Sequence, residues 1–115
     1  MRLDPLEADA RANLFGGQGT VRVWDLLRGG TAEPFAAVLA CELEPGGSVG
    51  THVQQEHPEI VVCLDGDGVA TVEGVEHALV PGAVVHLPFG QRLAIANRSQ
   101  AAPLAYLIIK AIRGT

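Results

Sequence analysis

A chain of 115 residues has room for one core and one domain, since domains commonly run to about 100–150 residues. Hydrophobic types make up 48% and charged residues only 18%, below the usual ~25%, which excludes a disordered chain and turns much of the surface inward or against a second subunit. With 13 acidic against 8 basic residues, a net charge of −5 and no basic run, the composition argues against nucleic acid as a partner.

The first segment reads as an N-terminal arm over residues 1–19, ahead of a β domain over 20–115. Asp4 is placed to cap a short helix, with Pro5 at its first position and Glu7 set to reach back. That segment breaks up with acids and proline where a signal peptide needs an apolar stretch, so the expected location is cytoplasmic. Beyond it, glycine and proline clusters recur at short intervals from Gly16 to Pro103. Between them lie nine predicted strands: 20–27, 36–44, 48–54, 59–64, 69–73, 76–80, 83–87, 92–96 and 104–112. Many short strands with frequent turns predict an all-β sandwich or barrel. The longest apolar runs, Phe35 to Cys41 and Ile60 to Leu64, fall short of the ~18–20 residues that cross a bilayer, so no membrane is expected. Cys41 and Cys63, 22 positions apart, fit neither a zinc knuckle nor a redox pair and read as small buried hydrophobes.

The stretch from Gly46 to Glu59 concentrates the polar chemistry of the chain. Residues two apart on a strand share a face, so His52 and Gln54 project together and Val53 points away. Glu59 opens the next strand, and an antiparallel return of the loop between them brings its carboxylate beside that pair. Stepping by two from Glu59 places Val61 and Cys63 on the same face, and stepping from Leu93 places Ile95, so a mostly apolar ligand pocket of Val61, Cys63, Leu93 and Ile95 is expected behind the polar trio. His57 lies in the connecting loop, His77 beyond a hairpin turn, and His86 is expected to face outward or into a subunit contact.

Two spaced motifs give these residues a context. Gly46-x5-His52-x-Gln54-x4-Glu59-x6-Gly66 and Gly82-x5-Pro88-x-Gly90-x2-Leu93-x3-Asn97 resemble the two motifs of the cupin superfamily, in particular its small single-domain members. Every turn-forming Gly and Pro and the Asn are kept. Both departures fall on positions where the family carries metal-binding histidines, here Gln54 and Leu93. The resemblance implies a double-stranded β-helix, or jelly-roll barrel, with a homodimer formed through open edge strands and contacts from Phe15 and Trp24. It also implies His52, Gln54 and Glu59 as the remaining metal ligands, a set too poor in nitrogen to retain iron or copper tightly, so any divalent ion is expected to be held weakly. The function expected on this basis is a small-molecule-binding protein with an incomplete metal site. Its alternative is a metal-dependent dioxygenase, lyase or isomerase; catalytic residues are not assigned, although His52 or Glu59 has the chemistry to move a proton.

Overall fold

The computed structural model describes residues 3–54 and 56–112. All nine predicted strands form, within a residue or two of their expected ends, and a tenth precedes them. In chain order they are β1 Asp9–Ala12, β2 Thr20–Asp25, β3 Phe35–Leu43, β4 Ser48–Val53 and β5 Glu59–Asp65. There follow β6 Gly68–Val72, β7 Val75–Leu79, β8 Val84–Leu87, β9 Arg92–Asn97 and β10 Leu104–Ala111. They build an all-β jelly roll of two antiparallel sheets, ordered β1-β2-β3-β10-β5-β8 and β4-β9-β6-β7. No ladder joins the sheets among the described residues, so the shell is a sandwich, not a closed barrel.

The alternation that marks the strands also fills the interior. On β5 the burial pattern alternates from Glu59 to Cys63, and on β9 from Leu93 to Asn97. Leu43, Leu79, Leu87, Leu104 and Tyr106 are almost wholly removed from solvent between the two sheets. Asn97 fastens the loops at one end: its Nδ2 donates to the carbonyls of Leu43 at 3.2 Å, Glu44 at 3.1 Å and Ala102 at 2.9 Å, while its Oδ1 accepts from the Ser99 amide. A buried side-chain amide with its bonds satisfied in this way is a fold determinant.

The N-terminal segment departs from expectation. Asp4 does cap, accepting from the Leu6 amide at 2.9 Å, but the turn is a single 3₁₀ turn over Pro5–Glu7, with no bond from Glu7 back to the cap. Residues Asp9–Ala12 are a strand because the open edge of β2 offers them a ladder, whereas a helix this short has little stability of its own. Trp24, expected at a dimer contact, is 5% exposed and donates from its indole nitrogen to the Asp4 carbonyl at 2.8 Å. The chain's own arm covers it.

Candidate functional site

A cavity of about 330 Å³ lies between the two sheets, lined by residues of β4 and β9 on one side and of β2, β3, β5 and β10 on the other. His52, Gln54 and Glu59 all line it. The alternation rule alone would set Val49 and His52 on opposite faces of β4. The β4–β9 register slips by one residue between them, pairing Val49 with Ile95 and His52 with Leu93, so this bulge turns both inward. Gln54 follows the strand and is clamped by its backbone, its N–H donating to the Gln91 carbonyl at 3.0 Å and its carbonyl accepting from Gly90 at 2.7 Å. Glu59 opens β5 between Leu87 of β8 and Lys110 of β10.

The three groups do not form one hydrogen-bonded trio. The Gln54 amide nitrogen donates to Glu59 Oε1. His52 instead donates from Nδ1 to the Gly50 carbonyl at 3.1 Å, which leaves Nε2 for the cavity. Its ring stacks on Phe15, with centroids 4.1 Å apart and planes 16° apart. Phe15, expected at a dimer contact, is thus a wall of the site, held in a 3₁₀ turn over Leu14–Gly16 at a positive φ of 53°. Backbone packing makes this possible: a Cβ on Gly50 would lie 1.9 Å from the Phe15 carbonyl oxygen, so the turn rests on β4 only where a side chain is missing.

Of the expected apolar lining, Leu93 and Ile95 face the cavity. Val61 and Cys63 point inward but lie outside it, packed in the core beyond the large side chains. Val53, expected to point away, is 43% exposed and also lines the cavity. Sequence spacing also missed five polar groups on the wall: Arg11, Cys41, Tyr106 and Lys110, which arrive from β1, β3 and β10, and Glu56 from the loop between β4 and β5. His57 is not on the wall, and its buried Nδ1 has no hydrogen-bond partner among the described residues. His77 and His86 are exposed.

Burial sets the protonation chemistry. Glu59, 4% exposed, is pushed above the ordinary carboxylate value by desolvation, opposed by the Lys110 charge and the Gln54 bond. Cys41 is pushed up to about 12 by burial and by the charge of Glu59, so it is a thiol and not a nucleophile near neutrality. Burial likewise raises Cys63, whose Sγ lies 3.8 Å from the Asp65 carbonyl, and holds the Tyr106 phenol well above its usual range.

The donor set does not fit a tightly held transition metal. One imidazole, one amide and one carboxylate are present, the amide nitrogen is turned to the carboxylate, and Leu93 occupies the register position facing His52. Among the described residues no group of three His, Cys, Asp or Glu side chains is placed to hold an ion.

Comparison with known proteins bears on the same region. The family model for the Cupin domain matches residues 39–110. The chain is 34% identical over 71 residues to the dimethylsulfoniopropionate lyase DddW of Ruegeria pomeroyi, covering 61% of this chain and 46% of that protein. The chain therefore spans less than half the length of this relative. Among solved structures it is similar to a predicted oxalate decarboxylase from Thermotoga maritima, with a TM-score of 0.82 and 24% identity over 98% of this chain and 100% of that one. It is also similar to a sugar phosphate isomerase from Silicibacter pomeroyi, with a TM-score of 0.71 and 24% identity over 98% of this chain and 76% of that one. At these identities the structural likeness is one of fold.

Proposed function

The chain belongs to the cupin family, and from that premise we propose that it is a cytoplasmic, homodimeric small-molecule-binding protein with an incomplete metal site. The observation that supports this most is the cavity of about 330 Å³, apolar on one side and polar at His52, Gln54 and Glu59. Its size lies within the usual range for small-ligand sites, about 300–1,000 Å³. Any activity carried by relatives attaches to their own polar groups, because one fold hosts many chemistries.

His52 positions a bound molecule from its Nε2, with the ring fixed by Phe15 and the Gly50 carbonyl. Glu59 offers an acceptor whose proton is held more firmly than a solvated carboxyl would hold it. Leu93, the buried cross-strand neighbour of His52, leaves that side of the cavity without a donor atom. An ion here would have to be a hard one, tolerant of oxygen ligands and exchangeable.

Elemental analysis of protein purified without an affinity tag and dialysed against chelator should find substoichiometric transition metal. Leu93→His should raise occupancy by restoring an imidazole across from His52. Thermal-shift screening against a small-metabolite panel should find stabilising compounds whose effect disappears in Val53→Trp, which plugs the opening. Stoichiometric metal retained by the unmodified protein would replace this reading with that of a metal-dependent enzyme. A panel with no hit sensitive to the plug would remove the ligand.

A further inference from the structure

β10 is apolar along most of its length, and one position breaks the pattern. Lys110 lies among Leu107, Ile108, Ile109 and Ala111 and is paired across the ladder with Glu59, so its side chain shares the inner face and lines the cavity. Among the described residues it makes no ion pair and no hydrogen bond. The other cation on the wall, Arg11, is already paired with Asp9 at 2.8 Å. The Lys110 charge acts on the neighbouring Glu59, but with no direct bond to any group among the described residues the ammonium keeps its donors free for an anionic ligand in the cavity.

Glu59 supplies the second half of the pattern. Its Oε1 accepts from Gln54, whereas its Oε2 has no hydrogen-bond partner among the described residues and is not among the sealed polar atoms, which leaves it to the cavity that Glu59 lines. Cross-strand neighbours in an antiparallel ladder sit about 4.5–5.5 Å apart at Cα. The cavity thus presents Lys110 and Glu59 side by side, with Arg11, His52 and Glu56 elsewhere on its wall. A simple anion bound by Lys110 would meet the Glu59 carboxylate at its flank, but a hydroxyl next to the anionic group turns that neighbour into a hydrogen-bond acceptor.

Resting on the cavity reading above, we propose that the ligand is a small hydroxy acid, its carboxylate held by Lys110, its adjacent hydroxyl donating to Glu59 Oε2 and its apolar body lying against Val49, Leu93 and Ile95. The volume, about 330 Å³, is roughly ten times the ~30 Å³ of a liquid water, which suits a molecule of about ten non-hydrogen atoms. Gln54 serves as a positioning residue, holding the Glu59 carboxylate so that its second oxygen faces the ligand.

Three probes separate the contributions: 2-hydroxy-4-methylpentanoate, its primary amide, and 4-methylpentanoate. Binding is read by amide chemical shifts at residues 49–54 and 92–97 in the full chain. The hydroxy acid should bind at least about tenfold more tightly than the amide, the usual worth of a charge-assisted bond, and more tightly than the acid that lacks the hydroxyl. Lys110→Met should erase the preference for acid over amide, and Lys110→Arg should keep it. Equal binding of acid and amide, or an unchanged preference in Lys110→Met, overturns the inference; the cavity reading survives that result if Val53→Trp abolishes binding of both. Failure of all three probes also overturns it, and the cavity reading falls with it only when the metabolite panel yields no hit sensitive to the plug.

Discussion

Glu59 is the residue on which stability and function meet. A carboxyl that is 4% exposed holds its proton more firmly in the folded chain than in the unfolded one, where the value is the ordinary 4.5. The folded state is therefore not penalised below the ordinary value. The penalty grows as pH rises through it and is complete above the raised value. Glu59→Gln keeps an acceptor oxygen for the Gln54 amide and removes the ionisable group. The variant should therefore melt higher than the natural protein at pH 7, by about 1.4 kcal/mol for each unit of elevation, and the two should converge at about pH 4 in calorimetric scans across pH. A variant that matches the natural protein in acid but falls further below it as pH rises through the ordinary carboxylate range would mean that the Lys110 charge outweighs desolvation and that Glu59 is ionised and stabilising. The same substitution should weaken binding of a hydroxylated ligand less than Lys110→Met weakens binding of its carboxylate, because an amide oxygen still accepts.

At the scale of elements, the site depends on one irregular strand meeting one irregular turn. The β4 bulge brings Val49 and His52 to the same side, and the turn over Leu14–Gly16 lays Phe15 against the imidazole. Gly17 and Gly50 allow the two backbones to touch, since added Cβ atoms would sit 2.1 Å from the Ser48 oxygen and 1.9 Å from the Phe15 oxygen. Gly50→Ala should therefore force the turn away from β4, cost on the order of 2–3 kcal/mol as an overpacked contact, and shift the His52 ring resonances toward those of Phe15→Ala. Phe15→Ala alone should cost only about 0.5–1.5 kcal/mol, the usual value of a ring pair. A Gly50→Ala protein with unshifted His52 resonances would refute this account. The regular strands were legible because alternation and Gly/Pro punctuation are local signals, and the motif glycines and Asn97 carried the turns. β1 was not, since Asp9-Ala-Arg-Ala has no β-branched residue and becomes a strand only by pairing with β2. The bulge was hidden from spacing arguments, although a glycine inside a strand, Gly50, was its signal. Arg11, Cys41, Tyr106 and Lys110 join the site through register across distant strands, which one sequence does not encode; the lone Lys110 in an apolar run was the readable trace.

At the scale of the whole molecule, the sequence's shortage of charge finds its place on the outer face of the six-stranded sheet. Residues that alternate away from the core on β3, β10, β5 and β8 are themselves apolar: Val38, Leu107, Ile109, Ile60, Val62 and Val84, the last 60% exposed. A sheet facing water on one side ordinarily reads polar there. The ionisable groups on this face are His86 on β8 and, toward β2, Glu42 paired with Arg22 at 3.8 Å, so it carries little net charge whereas the chain as a whole carries −5. Two copies therefore repel least when they meet across this face, and the face is its own complement under a two-fold axis. With strands about 4.8 Å apart and about 3.3 Å per residue, four strands of six residues span roughly 400 Å² in projection, about half of the ~800 Å² per partner of a standard interface. A homodimer formed through this face should accordingly be a weak one. Sedimentation velocity should find it at high micromolar concentration and see it dissociate on dilution, and Val84→Glu combined with Ile109→Lys should leave a folded monomer at every concentration. Val75→Lys on the free edge strand β7, where Val75 is 59% exposed, should leave the equilibrium unchanged. If the edge substitution monomerises the protein and the face substitutions do not, the copies pair strand to strand as the open edges of each sheet would permit.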